Sequence, residues 1–234
     1  MRLLLPDPRP LPEAELLDLY DPGPGAALRA GFVLSTDGGV AHDGTSRALQ
    51  SPADSAAFHA LRAVADAVLV GAGTARSEDY GPVRPRPDGR DWRESRGLPA
   101  QPPLVLVSRS LDLDPGARCF TGPAVVVTCH SAPDPGRFPD VVFAGDEEVE
   151  LADAVRQLAD RGLTRLLCEG GPHLLTALLR QGLVDELCLT HTPLLVGTAP
   201  TLLTQATDPP VGLDLQHLVD GGDGVLLARY AVRR

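Results

Sequence analysis

The sequence contains no lysine: all 21 of its basic residues are arginine, set against 31 acidic residues for a formal net charge of −10. Without lysine, Schiff-base chemistry on an amine side chain is excluded, and so is the basic group most readily tuned by burial. The acidic balance argues against general binding to nucleic acid or an anionic membrane surface, but a local arginine pocket for a small anion remains open. No apolar run approaches the roughly 18 to 20 residues that a membrane-spanning helix needs. The opening "MRLLLPDPRPLP" lacks the apolar stretch of a secretion signal. The four cysteines show neither a CxxC pair nor a histidine at metal-ligand spacing, so no metal site is expected. They read as reduced, buried thiols of a cytoplasmic protein.

What is present is enough for one folded unit. The 234 residues are 43% hydrophobic and 22% charged, with 24 Gly and 23 Pro, which predicts a soluble globular domain with many sharp or rigid connections. Residues 1–25 are dense in proline around one short helical pattern, "EAELLDLY", and read as an N-terminal arm laid on a core of 26–234. "LRAGFVLS" (28–35) has strand character, "TDGGVAHDGTSR" is a glycine-rich loop, and residues 52–65 have helical spacing with Pro52 in the first turn. "DAVLVGAGT" is a buried strand that runs into glycines. From Arg76 to Pro103 the density of Pro, Gly, Arg and Asp predicts a long surface loop. Three short apolar strands follow, then an acid-started helix over 146–162 that ends at Gly162. "TRLLCEGG" is a strand, "PHLLTALLRQG" a helix closed by Gly182, "VDELCLTHTPLLVG" a strand, and 213–232 a hairpin around "DGGDG". Alternating strands and helices ahead of an antiparallel hairpin predict an α/β fold with a mixed sheet.

Three strand ends run into polar or glycine-rich turns: 68–74, 106–110 and 166–174. Ligands bind at the carboxyl ends of parallel strands, so the three turns are expected to line one crevice. "GAGT" lacks the third glycine of the dinucleotide fingerprint; its Gly71 and Gly73 either let a pyrophosphate approach backbone, with Thr74 donating a hydroxyl, or form an ordinary tight turn. "SRS" flanks the Arg109 guanidinium with the hydroxyls of Ser108 and Ser110, which suits a phosphate monoester; the alternative is an exposed arginine after an edge strand. In "EGGPHLL", Gly170 and Gly171 bare backbone amides at the start of a helix and Pro172 fits its first turn, a setting for an anion. Glu169 beside them reads as an orienting group or a proton donor.

"FVLSTDGGVAHDGTSRAL", "HALRAVADAVLVGAGTARSED" and "LLCEGGPHLLTALLRQGLVDELCLTHTPLLVG" together resemble, in order and spacing, the reductase domain of the bifunctional pyrimidine deaminase/reductase of riboflavin biosynthesis. The resemblance implies a dihydrofolate-reductase-like three-layer α/β/α fold with a mostly parallel mixed sheet, NADPH as reductant, and a homodimer. It implies a small-molecule substrate of the 5-amino-6-(5-phosphoribosylamino)uracil type. It gives Gly71, Gly73, Thr74, Glu78, Ser108, Arg109, Gly170, Gly171 and Pro172 to the cofactor, Ser35, Asp37 and Glu169 to the substrate, and Glu169 and Asp37 to catalysis. It uses the helix of His59 and Arg62 for packing and local hydrogen bonds, and sets Arg84 and Arg86 near a substrate phosphate. The family's "SxDGK" lysine is Gly39 here, which marks a divergent branch. Dihydrofolate reductase activity, reduction of a specialised heterocycle or imine, and an idle nucleotide-binding role stay open beside the pyrimidine reductase.

Overall fold

A computed structural model describes residues 1–233; Arg234, the last residue of the expected 26–234 unit, lies outside the described residues. The strands are β1 (Arg2–Leu5), β2 (Arg9–Pro10), β3 (Ala27–Ser35), β4 (Ala67–Gly71), β5 (Leu104–Val107), β6 (Ala124–Thr128), β7 (Val141–Phe143), β8 (Arg165–Cys168), β9 (Glu186–Thr192), β10 (Leu213–Gly222) and β11 (Val225–Val232). The helices are α1 (Leu16–Tyr20), α2 (Pro52–Val64), α3 (Ala72–Ser77), α4 (Pro87–Glu94), α5 (Leu151–Asp160) and α6 (Pro172–Arg180). Among the described residues the strands form one sheet in the order β2-β1-β10-β11-β9-β3-β8-β4-β5-β6-β7. From β9 to β7 every pair is parallel; from β2 to β9 every pair is antiparallel.

The period-2 pattern of the central strands explains the layering. Val68 and Val70 of β4 pack on one face with α1 and α2, while Ala67 and Leu69 pack on the other with α5 and α6. Both faces are covered, which is why these strands read as continuous apolar runs. This is the α/β/α layering with a mostly parallel mixed sheet that the resemblance implies. The alanines of α2 at 53, 56, 57, 60 and 63 are buried and let the helix lie close to the sheet. Ser51 caps that helix by accepting the Asp54 N–H at 3.1 Å.

Two segments depart from expectation. The long loop over 76–103 contains α4, whose surface is so polar that only Gly89, Trp92 and Arg93 are buried, leaving too few apolar positions for a helical period to register. The helix expected from 146 begins at Leu151, because Asp146 to Glu150 are used in a turn: the Glu150 N–H donates to Ala144 O at 3.0 Å. The proline-rich opening supplies β1 and β2, held on the sheet edge by β10. No helix among the described residues is long and apolar enough to cross a membrane.

Candidate active site

β8, β4 and β5 are neighbours, so the carboxyl ends of all three adjoin. Glu169 extends β8 by one residue, its N–H donating to Leu69 O at 2.9 Å, and the Gly71 N–H then donates to Gly170 O at 2.8 Å. Gly170 has φ +122°, which an L residue rarely adopts, and the Gly170–Gly171 peptide is cis. A Cβ on Gly171 would run into Thr74 Oγ1. Both glycines are therefore required to seat the β4 and β8 turns against each other at the head of α6, where Pro172 needs no amide partner.

A cavity of about 720 Å³ opens beside this turn, lined among others by Phe32, Arg47, Asp54, Phe58, His59, Arg62, Thr74, Glu78, Tyr80, Arg118, Glu169 and Gly171. Asp54, Phe58 and Arg62 are successive fourth residues of α2 and so form one stripe facing it. Arg62 Nε and Nη2 donate to the two carboxylate oxygens of Glu169, each at 2.6 Å, and the Tyr80 hydroxyl donates to Oε2 at 3.0 Å. The Glu169 side chain has no exposed surface, whereas that of Arg62 is 32% exposed. Burial works to lower the Arg62 pKa, but the Glu169 carboxylate more than offsets it, so the guanidinium stays charged. Burial and then the Glu169 charge push the Tyr80 phenol well above its ordinary value, keeping it a donor.

Asp54 is 3% exposed. Burial raises its carboxyl to about 6 against the opposing effect of the Thr190 hydroxyl, with Glu169 adding to the rise. Its Oδ1 has no hydrogen-bond partner among the described residues. Arg118 is paired with Asp79, while Arg47 carries no ion pair among the described residues. His59 Nδ1 sits against Ser55 O, a carbonyl that can only accept, so Nδ1 carries hydrogen and Nε2 is the other ring nitrogen at the cavity wall.

The model of the RibD C-terminal domain family matches residues 26–227. The chain belongs to the RibD C-terminal domain family. A 2,5-diamino-6-ribosylamino-4(3H)-pyrimidinone 5′-phosphate reductase of Archaeoglobus fulgidus is 31% identical over 144 residues, 58% of this chain and 66% of that one. A riboflavin biosynthesis protein RibD of Mycobacterium tuberculosis is 31% identical over 169 residues, 71% of this chain and 42% of that one. The chain thus spans under two thirds of each of these relatives. The crystal structure of a pyrimidine reductase-like protein from Corynebacterium diphtheriae superposes with a TM-score of 0.83 at 27% identity, covering 96% of this chain and 100% of that one. The RibD reductase-domain fold, dihydrofolate-reductase-like, is accordingly the fold of this protein.

Of the residues singled out from the sequence, this RibD C-terminal domain gathers Thr74, Glu78, Glu169, Gly171 and Pro172 at the cavity, with Gly71 and Gly170 tied behind them. Glu78 accepts the Ser46 N–H at 2.7 Å. Gly73 is exposed on α3. Ser108 is buried, its hydroxyl accepting the Leu111 N–H at 3.0 Å, and Arg109 is exposed and paired with Glu148; neither lines the cavity. Arg84 is exposed, Arg86 is paired with Glu13, and His173 is exposed on α6.

Asp37 also lies outside the cavity lining. Ser35 donates to it at 2.6 Å, and the Val196 and Gly197 N–H groups donate at 3.2 and 2.7 Å. The Ser35 bond first, then those amides, lower its carboxyl to about 2. This clasp explains the missing lysine sterically: a Cβ on Gly39 would run into Val196, with Ala199 Cβ and Ser35 Oγ both 3.1 Å away. The segment that Asp37 holds down fills the space a side group at 39 would need.

Sequence reasoning missed Asp54, Tyr80, Arg47 and Arg118 as cavity residues and gave the helix of Arg62 to packing and local hydrogen bonds. The available signal was the polar stripe of Asp54 and Arg62 on an otherwise alanine-rich helix. Such a face is odd if its only task is to sit on a sheet.

Proposed function

We propose that this protein is an NADPH-dependent reductase of a ribosylamino-pyrimidine phosphate, converting the ribosyl group to its ribityl form. The observation that carries this reading is the Arg62–Glu169–Tyr80 cluster set beside the Gly170–Gly171 turn on one cavity, in a member of the RibD C-terminal domain family.

The cradle suits the cofactor: Gly170 and Gly171 keep side chains away from the head of α6, and Gly71, Gly73, Thr74, Glu78 and Pro172 surround it. Arg109 would exchange its exposed partner Glu148 for a cofactor phosphate on the β5 side, with Ser108 shaping that turn. When bound, NADPH supplies the hydride for the ring-opened imine form of the sugar–pyrimidine link, whose nitrogen takes up a proton. Arg47 and Arg118 are the cations for the substrate phosphate. Glu169, with both oxygens engaged, positions Arg62, and Asp37 and Ser35 hold the segment that roofs the substrate side. His59 Nε2 is a cavity group able to carry a proton.

A homodimer is part of this reading. Leu215, Leu218, Leu226 and Tyr230 share the face of the β10–β11 pair opposite α2, and all four are exposed or half-buried.

The test is NADPH titration of the purified protein followed by NADPH oxidation with the pyrimidine substrate, identifying the ribityl product. Binding and stoichiometric turnover are expected. Binding without turnover of any pyrimidine or pterin would favour the idle nucleotide-binding role, and no binding would end the reading. A sedimentation mass of one protomer would remove the dimer.

A further inference from the structure

Reduction of an imine consumes one proton with each hydride, and this chain has no lysine to deliver it. The acids of the cavity are already engaged. Both Glu169 oxygens accept from Arg62, and the Tyr80 hydroxyl donates its proton to the same carboxylate. Glu78 accepts the Ser46 N–H at 2.7 Å, and Asp79 is paired with Arg118. Asp54 is 3% exposed, and its carboxylate already engages the Thr190 hydroxyl. Arginine does not release its proton at any working pH, which removes Arg47, Arg62 and Arg118.

His59 is differently placed. Its ring is half-buried, lines the cavity, and sits three residues before Arg62 on α2, so it shares a helix face with the guanidinium that grips Glu169. That carboxylate is joined directly to the Gly170–Gly171 turn, the cofactor cradle of the reading above. Ser55 O fixes hydrogen on Nδ1, so Nε2 is the nitrogen whose protonation changes. The charged groups around the ring are Asp54 and Arg62 of its own helix, Glu169 after β8, and Glu13, Arg86 and Asp88 at a small groove that His59 also borders. Glu13 and Arg86 pair with each other at 2.7 Å, which leaves Nε2 without a committed partner from that side.

We propose that His59, protonated at Nε2, is the proton donor of the reduction. As the imine carbon takes up hydride, the π pair of the carbon–nitrogen bond moves to nitrogen, and nitrogen takes the Nε2 proton. The carbon is then reduced, the nicotinamide oxidised, and the His59 ring neutral with its hydrogen on Nδ1. The proposal rests on the reductase reading above.

The test compares the native protein with His59→Gln and His59→Ala, each checked by its melting curve and by NADPH titration. In either variant kcat is expected to fall about a hundredfold, the usual worth of a general acid, with the Kd for NADPH moved by less than about threefold. Native kcat should decline as rising pH strips the Nε2 proton, and that decline should vanish in His59→Gln. Added imidazole should restore His59→Ala in proportion to its imidazolium fraction, which a packing defect would not show. In nitrogen-15 spectra of histidine-labelled protein, the Nε2 resonance that His59→Gln lacks should move when the ribityl product binds. Native kcat in His59→Gln, an unchanged pH profile, or a resonance indifferent to the product would overturn the proposal and leave the reductase standing. NADPH binding without turnover by the native protein would end the reductase reading, and the proposal with it.

Discussion

Among the covered clusters of arginine and carboxylate in this sheet, two differ in what covers them. Where the antiparallel half joins the parallel one at β9, Glu186 binds Arg29 of β3 at 2.6 Å and is forked by Arg229 of β11, with side-chain exposures of 16%, 4% and 17%. Arg29 and Arg229 also donate to Tyr20 O and Leu19 O of α1, so the proline-rich opening segment caps the group. In the parallel half, Glu169 is buried more deeply still, but its Arg62 faces a cavity of about 720 Å³. The same pairing is a closed pin in one place and a wall of a site in the other. What distinguishes them is whether the protein itself supplies the lid.

The comparison breaks most sharply if one partner is removed from each cluster. Arg62→Met leaves the fully covered Glu169 charge without its counter-ion and should cost roughly 3–5 kcal/mol of stability, as well as reducing kcat/KM to background. Chemical denaturation and NADPH oxidation read both effects; near-native activity would dissociate the cluster from the site. Glu186→Gln, which strands two covered arginines, should lower stability by a similar amount, yet leave kcat/KM of the folded fraction unchanged. Loss of turnover there would mean that the closed cluster also shapes the cavity.

Each cluster has a titrating neighbour, and the two respond to pH in opposite directions. His217, packed edge-on to Tyr20 with ring centroids 5.3 Å apart, is lowered to about 4, first by burial and then by Arg229. The folded state therefore favours the neutral ring. That stability is present above the ordinary histidine value of 6.5 and is lost as pH falls through about 4, up to roughly 3 kcal/mol. His217→Phe, which keeps the ring, should flatten the acid limb of a melting-temperature profile; an unaltered limb would place the acid sensitivity elsewhere. Asp54 is raised to about 6, so its protonated form fits the fold better, and stability is lost as pH rises from about 4 through 6. Asp54→Asn should accordingly stabilise the protein at neutral pH by at most about 2–3 kcal/mol, the gain disappearing below about pH 4. A destabilised Asn variant at neutral pH would show that the charged carboxylate serves the fold.

The legible parts of this molecule are the local ones. The strand–turn–helix run through Glu169, Gly170, Gly171 and Pro172 could be read as a cofactor cradle because backbone freedom and helix starts depend on adjacent residues. α4 was not legible because its buried residues are too few to set a period. β1 and β2 were not, because their register is imposed by β10 from the far end of the sequence. At the site, Glu169 was visible but its partners were not: Arg62 is 107 positions away and Tyr80 is 89. Asp37 was visible too, but only the approach of Val196 and Gly197 shows that it clasps a segment over Gly39.

The sequence by itself determined the layered α/β plan, through alternating apolar periods, and the absence of lysine from any chemistry. The tertiary structure decided which charges meet and which stay open. Arg62 and Glu169 are neighbours because α2 lies over the end of β8, and the same packing of α2 covers the Asp54 Oδ1 without bringing a donor to it. Propensity and pattern act over a few residues, whereas the pairing of a charge depends on which distant segment packs against it.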